Sequence, residues 1–306
     1  MKTLDVTSIP ATRERAQIAR AANTAAQSAT GEPRAFQWLL IGLAFGLISL
    51  ILVLPLFIVF SQAFSQGWAL YRASLVDADA LSAIKLTLLV ALLVVPVNTA
   101  FGIAAAWAIT RFSFKGKGAL ITLIDLPFAV SPIISGLIFV LMFGRRGLLG
   151  PWLEAHNLKV VFALPGIVLA TMFVTFPFVA RQLITFMESQ GAEEEEAAVT
   201  LGANGFQTFW RVTMPNIKWS LLTGIILCNA RAMGEFGAVS VVSGHVNGQT
   251  NTIPLQVELL YGGSGEYDYV AAFAIASLLT VLGIITLIIK TILEWKTERQ
   301  LKEGQI

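Results

Sequence analysis

The chain has 306 residues, of which 56% are hydrophobic and 13% are charged, about half the charged fraction of a soluble globular protein. The formal net charge of +2 gives no basis for a nucleic-acid partner, and the single cysteine, Cys228, excludes an internal disulfide. Because a helix needs about 20 mostly apolar residues to cross a bilayer, the long apolar runs predict an all-α polytopic membrane protein surrounded by lipid.

Six apolar segments follow a polar N-terminal stretch. They lie near residues 36–64, 82–110, 119–143, 160–180, 219–243 and 269–289. Residues 1–35 lack a sustained apolar stripe, which predicts a disordered tail. The sequence therefore predicts a transmembrane domain of six helices at residues 36–293, followed by a short C-terminal tail at residues 294–306.

Prolines interrupt several of these segments, among them Pro96, Pro127, Pro132 and Pro177. Proline has no N–H and its ring clashes with the carbonyl four residues earlier, so we expect kinked helices whose freed carbonyls are paired by neighbouring helices. Kinks of this kind are common in transporters and channels, but they also occur in spans without such a role.

Lysines and arginines in the connecting segments predict the orientation, because short loops rich in these residues stay on the cytoplasmic side. Fifteen of them fall in residues 1–34, 111–118, 181–218 and 290–306, and four fall in the segments on the other side. This bias predicts that both termini and the 181–218 segment face the cytoplasm.

The loop at about residues 188–215 has the pattern of a helix–turn–helix. Four glutamates at residues 193–196 favour a helix start, because negative side chains are stabilised at the positive end of the helix dipole. Gly202 can adopt a positive φ and turn the chain. A second short helix is then expected to end at Pro215, and its predicted apolar face consists of Phe206, Phe209, Trp210 and Met214.

An exposed aromatic face in the cytoplasm needs a cover. Two alternatives remain open from the pattern alone: the face lies on the lipid interface or under its own helices, or it binds in a groove of a soluble partner.

The same loop resembles the EAA loop of importer-type ABC permeases. Three residues separate Glu196-Ala197-Ala198 from Gly202, and nine residues separate Gly202 from Val212-Thr213-Met214-Pro215. Val212 and Met214 replace the Ile and Leu of the family pattern, which keeps both positions apolar. The resemblance implies the ABC permease fold and a coupling helix seated in a cleft of an ATPase subunit. The residues assigned to this coupling are Glu196, Ala197, Ala198, Leu201, Gly202, Phe206, Phe209, Trp210 and Pro215.

The sequence contains no GxxxxGK[ST] phosphate-binding motif, so ATP and its magnesium are expected on another polypeptide. We therefore expect a transport subunit with no catalytic residue, no metal site and no cofactor of its own. The resemblance implies two copies of a cytoplasmic ATP-binding subunit, a second similar permease chain, and an extracytoplasmic binding protein that docks near residues 65–81, 145–159 and 244–268.

The fifth segment carries charges where lipid disfavours them. Arg231 falls at the centre of the predicted span, and Glu235 follows one helical turn later. A structural ion pair is one interpretation, and an arginine that faces the pathway of an anion is the other. Gly234 and Gly237 permit close backbone approach, which suits helix packing or a narrow pore, so all four residues are candidates for the translocation pathway.

The stretch from Ala230 to Gly244, together with residues 251–261, is similar to permeases for tetrahedral oxyanions, and residues 36–295 resemble the CysW-type subunits of sulfate/thiosulfate importers. This resemblance implies ATP-driven import of sulfate or thiosulfate across a bacterial inner membrane. Molybdate permeases share the Gly-Glu-Phe-Gly-Ala core at residues 234–238, so a molybdate or tungstate permease is the alternative. An uncoupled anion channel and an intramembrane enzyme are more distant alternatives.

Overall fold

The computed structural model describes residues 34–303, and within them all regular structure is helical. The predicted tail at residues 1–35 lies almost wholly outside this range. The helices are α1 (Arg34–Ala63), α2 (Gly67–Val76), α3 (Ala78–Arg111), α4 (Lys117–Ala129), α5 (Pro132–Phe143), α6 (Gly150–Ala155), α7 (Leu164–Gln190), α8 (Glu193–Thr200), α9 (Gly205–Thr208), α10 (Met214–Met233), α11 (Gly237–Ser243), α12 (Ile253–Tyr261) and α13 (Glu266–Glu303). The described residues divide into two compact units between Ile58 and Val59, and all packing described below lies within the second.

Four helices, α1, α3, α7 and α13, are long and apolar enough to cross a membrane. Two further spans are bent: α4 and α5 meet at 108°, and the helical stretch of residues 205–233 meets α11 at 49°. Counting each bent pair as one span gives six, so the predicted all-α polytopic architecture is confirmed. The third and fifth predicted spans are not continuous helices, however.

The break between α4 and α5 follows from Pro132. Ser131, which precedes the proline, is extended, with φ −56° and ψ 134°. A residue before proline is driven out of the helical region because the proline ring crowds its N–H and Cβ. Pro132 itself lies in the first turn of α5, where its missing N–H removes no helical bond. By contrast, α3 and α7 continue through Pro96 and Pro177.

Helix α7 forms the centre of the second unit, with α3 and α10 packed along it. Glycines permit this close approach. A Cβ on Gly102 of α3 would lie 2.6 Å from Cγ1 of Val179 in α7, and a Cβ on Gly224 of α10 would lie 3.3 Å from the Cα of Val179. Val179 is fully buried at this crossing, as is Cys228 of α10. Small residues bring helix backbones together in membranes, where apolar lipid gives little driving force for association.

Side-chain hydrogen bonds tie the loop after α11 to the start of α3. The hydroxyl of Ser82 donates to the carbonyl of Gly248 at 2.6 Å, and the hydroxyl of Thr87 accepts from the backbone N–H of Ile253 at 2.8 Å. The short helices α2, α6 and α12 occupy the three segments predicted to receive a binding protein, so these segments are structured rather than irregular loops.

We expect Gly102→Ala to destabilise the folded chain by about 1–3 kcal/mol, because the new Cβ has to displace Val179 from a fully packed crossing. The measurement is the thermal unfolding midpoint of the protein purified in detergent. Gly283→Ala in α13 is the matched control, since a Cβ there meets open space. A midpoint for Gly102→Ala equal to that of the control would contradict the close packing of α3 on α7.

Candidate functional site

The loop between α7 and α10 is built from closed hydrogen-bonding motifs. Helix α8 ends in a Schellman motif: Gly202 has φ +92°, its N–H donates to the carbonyl of Val199 at 2.9 Å, and the N–H of Ala203 donates to the carbonyl of Ala198 at 3.0 Å. The left-handed conformation at Gly202 strains any residue with a Cβ. The turn expected at this glycine is therefore present and has a defined geometry.

Helix α9 begins with a capping box that the sequence analysis missed. The side chain of Asn204 accepts from the N–H of Gln207 at 2.9 Å, and the side chain of Gln207 accepts from the N–H of Asn204 at 3.1 Å. The spacing of a short polar residue and Gln three positions later is a recognisable signal for this motif. The first motif ends at Ala203 and the second begins at Asn204, so the loop is a rigid turn between two helices.

The prediction that the second helix ends at Pro215 was wrong. A π-helical turn at Phe209–Thr213 joins α9 to α10, and the helix continues through Pro215 to Met233. In the π turn the N–H of Met214 bonds to the carbonyl of Phe209, five residues back. This wider turn accommodates the proline, whose ring would otherwise meet the carbonyl four residues earlier.

The apolar face predicted for this helix is divided by the structure. Phe206 and Trp210 are exposed, whereas Phe209 is half-buried with its ring centroid 5.1 Å from that of Trp107. Met214 packs against the core between α3, α7 and α10. Successive residues of a helix are about 100° apart, so Phe209 and Trp210 point in different directions. The prediction of a single face was therefore wrong.

The exposed surface of the loop combines residues from both helices. Leu201, at the end of α8, is 89% exposed, and Phe206 is 74% exposed. Trp210, Glu196 and Ala197 are also exposed, while Ala198 is half-buried. Large apolar side chains presented on a rigid element are typical of a surface that another molecule covers.

The second candidate site lies at the break after α10. Arg231 is in the last turn of α10 rather than in the middle of a continuous helix, as the sequence suggested. Its Nη1 lies 2.6 Å from Oε2 of Glu235, whose side chain is 1% exposed. Glu235 Oε1 accepts the backbone N–H of Ala238 in the first turn of α11 at 2.9 Å. The cation thus lies at the negative end of one helix and the carboxylate at the positive end of the next, which stabilises both ends.

The glycines of this segment have different surroundings. A Cβ on Gly237 would lie 2.9 Å from Cβ of Pro132, and a Cβ on Gly136 of α5 would lie 2.6 Å from the carbonyl oxygen of Ala238. These contacts bring the two bent spans together at their breaks. Gly234 is exposed and has only the carbonyl of its own helix nearby.

A further ion pair joins Asp125 of α4 to Arg181 of α7. The charge count of the sequence placed Arg181 in the connecting segment at residues 181–218. Because α7 extends to Gln190, Arg181 lies inside a helix and reaches the carboxylate of Asp125 instead. Among the described residues no group of three His, Cys, Asp or Glu is arranged as a metal site.

Residues 98–299 match the family described as "Binding-protein-dependent transport system inner membrane component". The chain is 52% identical over 269 residues to "Sulfate transport system permease protein CysW" of Escherichia coli K12, covering 88% of this chain and 91% of that protein. The protein of the same name from Synechococcus elongatus is 51% identical over 261 residues, covering 85% and 90%. "Sulfate transport system permease protein CysT" of Escherichia coli K12 is 36% identical over 240 residues, covering 78% and 86%.

Among solved structures, a chain of a bacterial ABC transporter involved in the import of the acidic polysaccharide alginate matches with a TM-score of 0.68. The match covers 87% of this chain and 99% of that chain at 19% identity. At this identity the likeness concerns the fold alone.

We expect Arg231→Met and Glu235→Gln, made separately, each to destabilise the protein by about 2–4 kcal/mol, because each leaves a charge or a helix end unpaired at the break. The double variant should recover most of this loss, since neither charge remains. Thermal unfolding midpoints of the four proteins provide the measurement. Independent, additive losses would contradict the pairing.

Proposed function

The chain belongs to the family of inner-membrane components of binding-protein-dependent transport systems, and on this premise we propose that it is the permease subunit of an ATP-driven importer for sulfate or thiosulfate. The relatives named as sulfate permeases support the substrate class, because their similarity covers most of both chains. In this proposal the chain provides half of the membrane pathway and has no ATPase site.

The observation that carries the proposal is the exposed apolar surface of the loop between α7 and α10. This surface consists of the exposed side chains of Leu201, Phe206 and Trp210. The Schellman motif and the capping box fix the turn between the two helices that carry it. A coupling element has to transmit displacement, which a rigid short helix does and a flexible loop does not. We assign this surface to the cleft of a cytoplasmic ATP-binding subunit.

The proposed assembly contains this chain, a second similar permease chain, two ATP-binding subunits that hold ATP and magnesium, and an extracytoplasmic binding protein. The relative named CysT supports pairing with a similar chain, because it is itself a sulfate permease homologous to this one. In this proposal both termini and the coupling loop face the cytoplasm, as the charge bias of the loops predicts, and the binding protein docks on the side of α2, α6 and α12.

An energy source is required by the charge of the substrate. With the inside of the cell negative, entry of an anion is opposed by about 2.3 kcal/mol per elementary charge per 100 mV, and sulfate carries two charges. A passive channel would release sulfate rather than accumulate it. ATP-driven closure of the nucleotide subunits, transmitted through the loop, supplies the work.

Within the pathway, the proposed roles of the four candidate residues differ. Glu235 is buried and Gly237 is packed on Pro132, so they hold the break in place. Arg231, whose side chain is 32% exposed, and Gly234 are the groups at the break that an anion can reach.

We expect Gly202→Val to abolish sulfate uptake, because a β-branched residue is strained at φ +92° and distorts the turn between the two loop helices. Gly205→Ala is the matched control: this glycine lies in the same loop without a positive φ, and its Cβ would meet open space. Uptake of radiolabelled sulfate is measured in bacteria that lack the chain and are complemented with each variant.

Uptake restored by the wild type and Gly205→Ala but not by Gly202→Val, with dilute molybdate giving no competition, is the expected result. Normal uptake with Gly202→Val would refute the coupling role and favour an uncoupled channel. Molybdate uptake in place of sulfate uptake, with the partner subunits present, would assign the chain to molybdate or tungstate.

The two phenylalanines of the loop should respond differently to substitution. Phe206→Ser removes an exposed contact, so we expect weaker retention of the ATP-binding subunit during purification with little change in the unfolding midpoint. Phe209→Ser removes a ring that packs on Trp107, so we expect a lower midpoint. Equal retention of the ATP-binding subunit by Phe206→Ser and wild type would contradict the assigned surface.

A further inference from the structure

The loop between α7 and α10 is continuous in sequence with these two helices, but not with α3. Any displacement of the loop therefore reaches α7 and α10 through the backbone. The displacement reaches α3 only through contacts between side chains, including those along its packing on α7. The contacts at the loop end of α3 consequently decide how closely this helix follows the loop.

Those contacts centre on Arg111, the last residue of α3. Its guanidinium forms an ion pair with Glu195 in the first turn of α8, and its Nη1 donates to the carbonyl of Met187 in α7 at 3.4 Å. The side chains of Arg111 and Glu195 are only 11% and 13% exposed. Water therefore screens this pair less than it screens an exposed ion pair. Removing one partner leaves the other charge largely buried and unpaired, which destabilises the contact more than at an exposed site.

Glu195 also contacts the far side of the loop. Its Oε1 accepts the hydroxyl hydrogen of Thr213 at 2.7 Å, and Thr213 is the last residue of the π turn before α10. The neighbouring Glu194 accepts from the side-chain amide of Asn216 in α10. One carboxylate thus bridges α3 and the start of α10, and a second reinforces the bond to α10.

We infer that Glu195 and Arg111 form a positioning link through which α3 follows the coupling loop during the transport cycle. This inference rests on the proposed function and adds to it, since the family pattern begins at Glu196 and includes neither residue of the link. Without the link, nucleotide closure still moves the loop with α7 and α10, but α3 follows less closely. Less sulfate is then imported for each ATP hydrolysed.

The experiment uses the complete complex, with its second permease, ATP-binding subunits and binding protein, reconstituted in lipid vesicles. Sulfate uptake and ATP hydrolysis are measured on the same preparation for wild type, Glu195→Gln, Arg111→Gln and the double variant. Glu193→Gln is the matched control, because it removes the same charge from an exposed position in the same turn of α8.

We expect the sulfate imported per ATP hydrolysed to fall about tenfold in Glu195→Gln and Arg111→Gln, within the usual range of coupling effects. The double variant should be no worse than either single variant, since both remove one link. Glu193→Gln should keep the wild-type ratio. Thr213→Val, which removes one hydrogen bond without leaving an unpaired charge, should lower the ratio by a smaller factor and provides the test if the charge variants fail to assemble.

Uptake and hydrolysis that fall together at an unchanged ratio would show that the pair only supports folding or assembly, and would overturn the inference. A ratio in Glu195→Gln equal to that in Glu193→Gln would overturn it as well. Absence of both sulfate uptake and stimulated hydrolysis in the wild-type complex would instead refute the proposed function.

Discussion

Backbone groups inside a bilayer have no water to bond with, and this constraint governs how the spans of the protein can be broken. The break after α10 is stabilised by the pair of Arg231 and Glu235, with the carboxylate bonded to the N–H of Ala238. The break before α5 occurs at Pro132, which has no N–H and therefore needs no acceptor. The two breaks pack on each other through Gly237 and Gly136, while Gly234 is exposed.

The same constraint explains the central position of α7. It is long and unbroken, and it provides the surface on which the two bent spans and α3 assemble. Because lipid gives little hydrophobic driving force for helix association, the helices gain stability from close packing at small residues. Val179 between Gly102 and Gly224 is the clearest example, and it places three helix backbones within contact distance.

The loop between α7 and α10 is also held in a defined conformation. Its two turns are closed by local hydrogen bonds, and Glu195 is bonded both to α3 and to the π turn before α10. The apolar side chains of Leu201, Phe206 and Trp210 are exposed on the same loop. Some side chains of this loop therefore bond it to neighbouring helices, and others a few positions away are exposed.

Local chemistry made much of this predictable from the sequence. Apolar segments predicted six spans because a bilayer needs a minimum helix length, and Gly202 predicted a turn because its backbone is permissive. Four glutamates predicted the start of α8, and the spacing of Arg231 and Glu235 made their ion pair one of two interpretations. Each of these features depends on residues within a few positions of one another.

Only the tertiary structure decided which side chains face one another across helices. Asp125 pairs with Arg181, and Glu195 with Arg111, because helices distant in sequence are packed side by side. Phe209 packs on Trp107 while Phe206 and Trp210 are exposed, and the π turn carries the helix past Pro215, which local propensity opposes. These outcomes depend on the path of the whole chain, since tertiary packing can outweigh the local preference of any single residue.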